Sequence, residues 1–404
     1  MTTSAAIAPS TDRVRPGLVI AVLAAGTFLM GTSEFVVAGL LPEVAQDFSV
    51  SVGQAGLAIT AFAVGMIVGS PVMVLLTLRL SRRTTLALAL AIFAVGHVLA
   101  ALSGVFVALL AARFLTAVAT GAFWAVASLV AAEVAGPGSS TRALGVVQGG
   151  AMLATVVGVP LGAVLGQLIG WRGPFWILAV LAALAAVVVA RLVPSSRAAE
   201  VPDLRAELRA LRSGRLWLVL LSCACIAGGV LTVYSYISPL LTDVTGLPAG
   251  AVPIALVLFG TTALVGTILG GRLGDARPYA TILVASTITL IAIVTLGLVA
   301  SMPAPTLAVI ALLGLTGLSA NPVLGILAIR FGGSAPTLAS ALTPSAFNLG
   351  TAVGTGIASV GLHSSLGADA PVLIGGVSAV LVLVVFGGLT LLVGSRRRAA
   401  AAVA

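Results

Sequence analysis

Two ionisable side chains lie inside stretches that are otherwise apolar. Glu34 occurs in "FLMGTSEFVVAGLLPEVAQDF" (28–48), whose other acids, Glu43 and Asp47, lie beyond the end of the apolar run, and Arg113 occurs in "AARFLTAVATGAFW" (111–124). A charge in apolar surroundings is costly unless it has a partner, and burial and a neighbouring charge act in opposite directions on whether a carboxyl group holds its proton. Two such groups predict either proton exchange or a structural ion pair.

The composition indicates which elements hold these groups. The chain has 404 residues, of which 60% are hydrophobic and 8% are charged, and its mean hydropathy is +1.23. These values are typical of integral membrane proteins. Apolar stretches of roughly 20 residues, long enough to cross a bilayer as a helix, recur along the sequence. They are apolar on all sides, whereas the strands of a membrane β-barrel would alternate.

We therefore predict an all-α membrane protein with about twelve spanning helices. The predicted spans are 17–41, 52–76, 84–102, 105–132, 143–169, 172–193, 216–240, 250–271, 279–300, 304–329, 337–361 and 370–394. The longest polar stretch, 194–215, separates a first half (17–193) from a second half (216–394), with tails at 1–16 and 395–404. It predicts either a short helix on the inner membrane surface or a solvated linker helix. Two halves of six spans are a common transporter plan, with the substrate site between them.

The arginines orient the predicted helices. If both termini are cytoplasmic, Arg172 is the only arginine in the predicted outer loops. The inner segments then contain Arg13, Arg15, Arg79, Arg82, Arg83, Arg142, Arg191, Arg197, Arg205, Arg209, Arg212, Arg215, Arg272, Arg277, Arg330 and 396–398. This asymmetry follows the positive-inside rule, and it accounts for the net charge of +9 without a nucleic-acid partner.

Glu34 and Arg113 are predicted to lie at similar depths. Glu34 is about seven residues, or roughly 10 Å, below the outer end of the first span, and Arg113 is about eight residues, or roughly 12 Å, below the same face. We expect the two groups to meet or to communicate through water, and a purely structural ion pair is the alternative. His97, in a third span predicted to be peripheral, is expected to be packed and neutral. His363 is expected to be solvated in an outer loop.

Two loops at matching places in the halves read "LRLSRRTT" (78–85) and "GRLGDARP" (271–278). They resemble the loop motif G-x-L-x-D-R-x-G-R-R of the major facilitator superfamily, and the whole chain resembles its twelve-span drug:proton antiporters. The second loop keeps Gly271, Leu273, Asp275 and Arg277, and the first keeps Arg79, Arg82 and Arg83 without the acid. The resemblance implies a latch that favours the state closed to the cytoplasm, in which glycines permit close helix approach and Asp275 caps a helix or pairs with an arginine. The arginines of the first loop are either part of this latch or only topological anchors.

The fifth span is similar to the family's antiporter motif, G-x8-G-x3-G-P-x2-G-G. The matching positions are Gly149, Gly158, Gly162 and Gly166, and the proline is displaced to Pro160. Because the last three glycines recur every four residues, they predict one small-residue face that packs closely and rocks against a partner helix. Generic packing of small residues is the alternative.

The fourth span keeps only the arginine of the family motif R-x-x-Q-G-x-G, at Arg113. The blocks "MGTSEFVVAGLLPEVA" and "WRGPFWIL" most resemble actinobacterial chloramphenicol-efflux and arabinose-efflux-like permeases. This resemblance implies proton-coupled efflux of a small amphipathic molecule, such as chloramphenicol, by alternating access, with Glu34 and Arg113 coupling the proton. Export of a sugar, nucleoside or other metabolite is one alternative, and a non-transporting sensor or scaffold is another.

Five further side chains are predicted to line an amphipathic substrate pocket, with ordinary helix packing as the alternative for each: Phe123, Trp124, Tyr234, Tyr236 and Asn348. The chain has two histidines and one clearly intramembrane acid, which disfavours an intramembrane enzyme or a metal site. It has no G-x-x-x-x-G-K-[ST] motif for ATP. We expect no cofactor, a proton as the coupling ion, and a monomer in the bacterial cytoplasmic membrane whose partners are the small-molecule substrate and the lipid bilayer.

Overall fold

The computed structural model describes residues 16–77, 80–136, 139–195, 212–333 and 336–401, and these are helical, with no β-strand among them. The helices are α1 (Pro16–Val36), α2 (Leu41–Asp47), α3 (Val52–Thr77), α4 (Arg82–Leu102), α5 (Phe106–Ala135), α6 (Ser140–Leu153), α7 (Val159–Ile169), α8 (Arg172–Leu192), α9 (Gly214–Ser235), α10 (Val252–Ala276), α11 (Pro278–Val299), α12 (Pro303–Gly317), α13 (Asn321–Gly332), α14 (Pro336–Gly361) and α15 (Ala370–Ala401).

The helix lengths match a bilayer. Within the described residues, 11 helical segments are long and apolar enough to cross a membrane. A further helix, α14, has 26 residues and is therefore about 39 Å long at about 1.5 Å per residue. The all-α membrane class is confirmed, and the count of spans fits the predicted twelve. The predicted linker helix lies mostly outside the described residues.

Two of the predicted spans are interrupted at prolines. The fifth consists of α6, a π-helical turn (Ala154–Gly158) and α7, because the ring of Pro160 provides no N–H and clashes with the preceding turn. The tenth was predicted as one helix over 304–329 but is broken into α12 and α13 at Leu318–Ala320. Pro322 stands in the first turn of α13, where a proline is tolerated only because a new helix begins there.

Each half has its own core, and a third core joins the halves. Leu23 and Phe93 belong to the core of the first half, and Leu220 and Phe386 belong to that of the second. The shared core includes Val36 at the end of α1 together with residues of α9 and α10. The halves are therefore in contact around the outer ends of these helices.

Three side-chain hydrogen bonds hold the halves together near the outer face, and they join α3 and the residue before it to α14 and the turn after it. They join Ser51 Oγ and His363 Nε2 (2.5 Å), Ser359 Oγ and the carbonyl of Gly53 (2.6 Å), and the hydroxyls of Thr60 and Thr355 (2.8 Å). We call these six residues the outer gate. His363 is exposed in the turn after α14, as expected, but its ring also bonds across the two halves, which the sequence did not predict. Both ring nitrogens have partners, since Nδ1 is 2.8 Å from the carbonyl of Ser359.

Close helix approach next to the second loop depends on Gly270, whereas the loop motif suggested Gly271. A Cβ on Gly270 would lie 1.9 Å from the carbonyl oxygen of Ser319, whereas a Cβ on Gly271 would meet nothing within 4 Å. Gly271 therefore does not provide the close approach that was predicted for it. Gly270 does, because it lets α10 lie against the break between α12 and α13.

Gly270→Ala should destabilise the protein by about 1–3 kcal/mol, since the new methyl group must displace backbone. Gly271→Ala, at the next residue of the same helix, should be neutral or stabilising by up to about 1 kcal/mol because alanine is the better helix former. Thermal unfolding of the purified protein in detergent measures both. Equal melting temperatures for the two variants would contradict the packing described for α10.

Candidate functional site

Arg113 is the centre of a polar cluster inside the first half. Its side chain on α5 is fully buried. Nη1 donates to the carbonyl and the hydroxyl of Ser33 (2.9 Å each), and Nη2 donates to the backbone carbonyl of Glu34 (3.2 Å). Nε donates to the carbonyl of Ala58 on α3 (3.4 Å), and the guanidinium lies 4.3 Å from the centre of the Phe62 ring. Arg113 thus joins α5 to α1 and α3.

The end of α1 explains why these carbonyls are available. The α-helix ends at Val36 and passes directly into a 3₁₀ turn, Val37–Gly39, so the carbonyls of Ser33 and Glu34 lie in its last turn. They also form the negative end of the helix dipole. A guanidinium has five donors in a planar fork, which can satisfy several such oxygens at once. Arg113 therefore binds the last turn of α1 from within the bundle.

The carboxyl group of Glu34 does not pair with Arg113. The contact between the two residues goes through the backbone carbonyl of Glu34, and the ion pairs in the described part of the chain are Arg82 with Glu133 and Arg172 with Asp47. Glu34 is 8% exposed, and its Oε2 is buried without a hydrogen-bond partner. The sequence correctly predicted that the two residues are neighbours, but the structure shows no side-chain ion pair between them.

His97 extends the cluster to α4. Its Nε2 is 2.9 Å from the Ser33 hydroxyl, and its Nδ1 is 2.8 Å from the carbonyl of Phe93. The ring is fully buried, with ring centres of Phe93 at 4.1 Å and Phe175 at 5.7 Å. Sequence reasoning placed it on a peripheral helix and missed its link to Arg113. The depth of His97 could have indicated this link, because His97 lies five residues, or about 8 Å, below the outer end of α4, close to the depths counted for Glu34 and Arg113.

Two of the predicted substrate-binding residues have polar atoms without partners. Trp124 is half-buried beside Phe62 and Met66, and its Nε1 is unpaired. Tyr234 on α9 packs against Phe35 of α1, with ring centres 6.0 Å apart, and its hydroxyl is also unpaired. Phe35 follows Glu34 in α1, so Tyr234 brings the second half into contact with the residue next to Glu34.

The other three predicted substrate residues have packing or gating positions. Phe123 is fully buried in the core of the first half, where a Cβ on Gly26 would lie 2.3 Å from its ring. The Tyr236 hydroxyl donates to the carbonyl of Thr355 (3.1 Å), beside the outer gate. The Asn348 side chain bonds its own helix at the carbonyl of Pro344 (3.1 Å).

The latch residues that the structure describes form no ion pair with one another. Arg79 lies outside the described residues. Arg82 forms an ion pair with Glu133, which links the inner end of α4 to that of α5. Asp275 and Arg277 are exposed, and neither belongs to an ion pair within the described ranges.

The antiporter-motif glycines, apart from one, pack against α1 and the turn that follows it. A Cβ on Gly158, Gly162 or Gly166 would lie 2.0–2.4 Å from the side chain of Thr32, Val36 or Leu40, respectively. A Cβ on Gly149 would meet nothing within 4 Å, whereas a Cβ on the neighbouring Gly150 would lie 2.1 Å from the carbonyl oxygen of Ala24. Pro160 begins the helix after the π-helical turn. The fifth span therefore lies against the helix that carries Glu34.

A metal site has no support in the described residues, where no three His, Cys, Asp or Glu side chains cluster. The candidate residues are instead one buried cation, Arg113, one carboxyl group with a buried unpaired oxygen, Glu34, and two aromatic side chains with unpaired donors, Trp124 and Tyr234. Such an arrangement can exchange a proton and can bind a molecule that has both apolar and hydrogen-bonding groups.

Comparison with known proteins places the chain among transporters. The family described as Major Facilitator Superfamily matches residues 23–323. The chain is 36% identical to a chloramphenicol resistance protein of Streptomyces lividans, over 90% of this chain and 94% of that protein. It is 27% identical to a probable sugar efflux transporter of Mannheimia succiniciproducens, over 85% and 84%. Its fold matches a bacterial homologue of the lysosomal transporter Spinster with a TM-score of 0.72, 19% identity and coverage of 95% and 97%.

Arg113→Lys should destabilise the protein by about 1–3 kcal/mol, because an ammonium group cannot reach all four oxygens and leaves buried carbonyls unpaired. Arg191→Lys is the matched control, since Arg191 is exposed at the inner end of α8. Thermal unfolding in detergent measures both variants. A stable Arg113→Lys protein would show that the fork geometry does not matter.

Proposed function

The chain belongs to the major facilitator superfamily, and we propose that it exports a small amphipathic molecule in exchange for protons. The substrate class that we favour is chloramphenicol or a related drug. The protein then works as a monomer in the cytoplasmic membrane of a bacterium, without enzymatic activity and without a cofactor. The coupling ion is the proton.

The observation that carries this proposal is the buried, unpaired carboxyl group of Glu34. A carboxylate without a hydrogen bond or counter-ion is costly in apolar surroundings, and protonation removes that cost. The backbone of the same residue is held by Arg113, so any change at the carboxyl group acts directly on the end of α1. Glu34 can therefore link proton binding to a movement of α1 between the halves.

The energetics of such an exchange are sufficient for efflux. An inward proton gains about 2.3 kcal/mol per 100 mV of membrane potential. Because about 1.4 kcal/mol corresponds to a tenfold ratio, one proton per neutral substrate supports a gradient of roughly fortyfold at 100 mV. Nothing else is needed as an energy source in this scheme.

The substrate preference is supported by the chemistry of two aromatic side chains, one in each half. The unpaired Trp124 Nε1 and Tyr234 hydroxyl offer hydrogen-bond donors next to aromatic surfaces, an arrangement that suits an uncharged molecule with a ring and polar substituents. The relative named for chloramphenicol resistance supports a drug. The relative named as a probable sugar efflux transporter favours the second candidate, export of a sugar or another metabolite. A non-transporting sensor is the third candidate.

Glu34→Gln should abolish accumulation of substrate against a gradient, because an amide cannot exchange a proton, while downhill movement continues. The measurement is uptake into inverted membrane vesicles under a proton gradient, with a compound panel that includes chloramphenicol and sugars. We expect at least a tenfold loss of accumulation. Proton-driven accumulation by Glu34→Gln at the wild-type level would reject the coupling role, and absence of uptake of every compound by the wild type would favour a sensor.

Glu43→Gln is the matched control for that experiment. Glu43 lies on α2, beyond the outer end of α1, and burial raises the pKa of its carboxyl group. It thus resembles Glu34 in being partly removed from water but lies outside the spanning segment. We expect accumulation to be retained in this variant. Loss of coupling in both variants would show that the effect is not specific to Glu34.

Closing the outer gate covalently should stop transport. Thr60→Cys with Thr355→Cys, in a background with Cys223→Ala and Cys225→Ala, replaces two hydroxyls that are 2.8 Å apart, so oxidation can form a disulfide across the halves. We expect uptake to stop on oxidation and to return on reduction, whereas Thr60→Cys alone remains active. Full cross-linking with undiminished uptake would contradict alternating access through this gate.

A further inference from the structure

The buried histidine of α4 has no part in the proton exchange proposed above, yet its hydrogen bonds have only one consistent direction. The carbonyl of Phe93 can only accept, so the Nδ1 of His97 carries a hydrogen and donates to it. In a neutral imidazole Nε2 is then an acceptor. The Ser33 hydroxyl therefore donates to Nε2, and its oxygen accepts from Nη1 of Arg113.

Every member of this chain of hydrogen bonds is held in place by its surroundings. His97 and Ser33 are fully buried, so water does not replace either partner. The imidazole lies between the rings of Phe93 and Phe175. Without Nε2 as an acceptor, the side chain of Ser33 can change rotamer and donate to a carbonyl of its own helix, as serine commonly does, and this rotation carries Oγ away from Nη1 of Arg113.

The guanidinium of Arg113 is held on neutral oxygens although an acid is next to it. It bonds the backbone of Glu34, and a carboxylate is a stronger acceptor than a carbonyl. Releasing the bond between Ser33 and Nη1 would leave a donor of Arg113 free to turn toward that carboxyl group. The serine and the histidine behind it therefore oppose an ion pair between Arg113 and Glu34.

The charged groups around this cluster are few. Arg113 on α5 and Glu34 on α1 lie at the level of His97. On α8, Arg172 lies at the outer rim, where it pairs with Asp47 and bonds the carbonyl of Ala101 on α4. The other charged residues on these four helices lie at the inner ends: Arg82, Arg83, Glu133 and Arg191.

We propose that His97 is a positioning residue for proton coupling: through Ser33 it keeps the guanidinium of Arg113 on the carbonyls that end α1 and away from the carboxyl group of Glu34. The unpaired carboxyl group can then bind and release a proton. This role rests on the proposed function of Glu34 as the proton site. A protonated imidazole does not fit the arrangement, because it would place a second buried cation beside the guanidinium of Arg113.

The test follows the protonation of Glu34 directly. The carboxylic acid C=O stretching band of the purified protein in lipid is recorded by infrared spectroscopy over a pH series, and its absence in Glu34→Gln identifies it. In His97→Leu the band should disappear at a pH about one unit lower than in the wild type, a tenfold change in proton concentration. The reason is that Arg113, once released, favours the ionised carboxylate.

Two further variants separate positioning from simple loss of structure. Ser33→Ala should give the same shift, and the double variant should add nothing, because both residues act through one bond to Arg113. His97→Gln, whose amide oxygen can accept from the Ser33 hydroxyl, should restore the wild-type behaviour. Ser222→Ala is the matched control, since Ser222 is a buried serine that bonds only the carbonyl of Leu218 on its own helix, and it should leave the band unchanged.

The outcomes distinguish this proposal from the proposed function. If the pH of band loss is the same in the wild type, His97→Leu and Ser33→Ala, or if the two single shifts add, His97 does not position Arg113. If His97→Leu does not fold, Ser33→Ala and His97→Gln still give the result. The proposed function is judged separately by vesicle uptake in Glu34→Gln, which can fail while the infrared shift is present.

Discussion

The first half of the molecule depends on satisfying one cation inside apolar surroundings. An unpaired guanidinium at this depth would cost several kcal/mol. Arg113 avoids this cost because it donates four hydrogen bonds to oxygens of α1 and α3. Three of these oxygens belong to the last turn of α1. Arg113 therefore binds α1 just before that helix ends at Val36. The turn after Val36 is where the first half meets α9 and α10.

The two halves differ in chemistry although their helices follow one plan. The polar cluster of Glu34, Arg113, Ser33 and His97 lies wholly in the first half. Within the described spans of the second half, the buried polar side chains are uncharged hydroxyls and amides, such as Thr289 bonded to Thr316. A proton-dependent change would thus begin on α1 and reach the second half through contacts such as Phe35 with Tyr234.

Sequence reasoning predicted the spans well because a spanning helix is defined by composition, which is local. It also predicted that Glu34 and Arg113 are neighbours, since depth can be counted from the ends of predicted helices. It did not predict the roles of Gly270 and Gly271, because the face that a glycine presents depends on helix rotation. The bond of Arg113 to a backbone carbonyl, rather than to a carboxylate, depended on where α1 ends. His97 was missed because a lone histidine has no pattern, and only its position beside Ser33 reveals what it contacts.

The bonds of the cluster and those of the outer gate differ in strength in a way that suits their positions. Arg113 makes charge-assisted bonds in a site without water, where losing one leaves a buried group unpaired and costs about 1–3 kcal/mol. The gate bonds join neutral groups, and each contributes about 0.5–1.5 kcal/mol. Water can replace the bond between Ser51 and His363, which is exposed. Three such bonds total a few kcal/mol, which is comparable to the roughly 2.3 kcal/mol that one proton gains across 100 mV. The bonds of the outer gate can therefore break and form again in each cycle, while the bonds of Arg113 keep α1 attached to the first half.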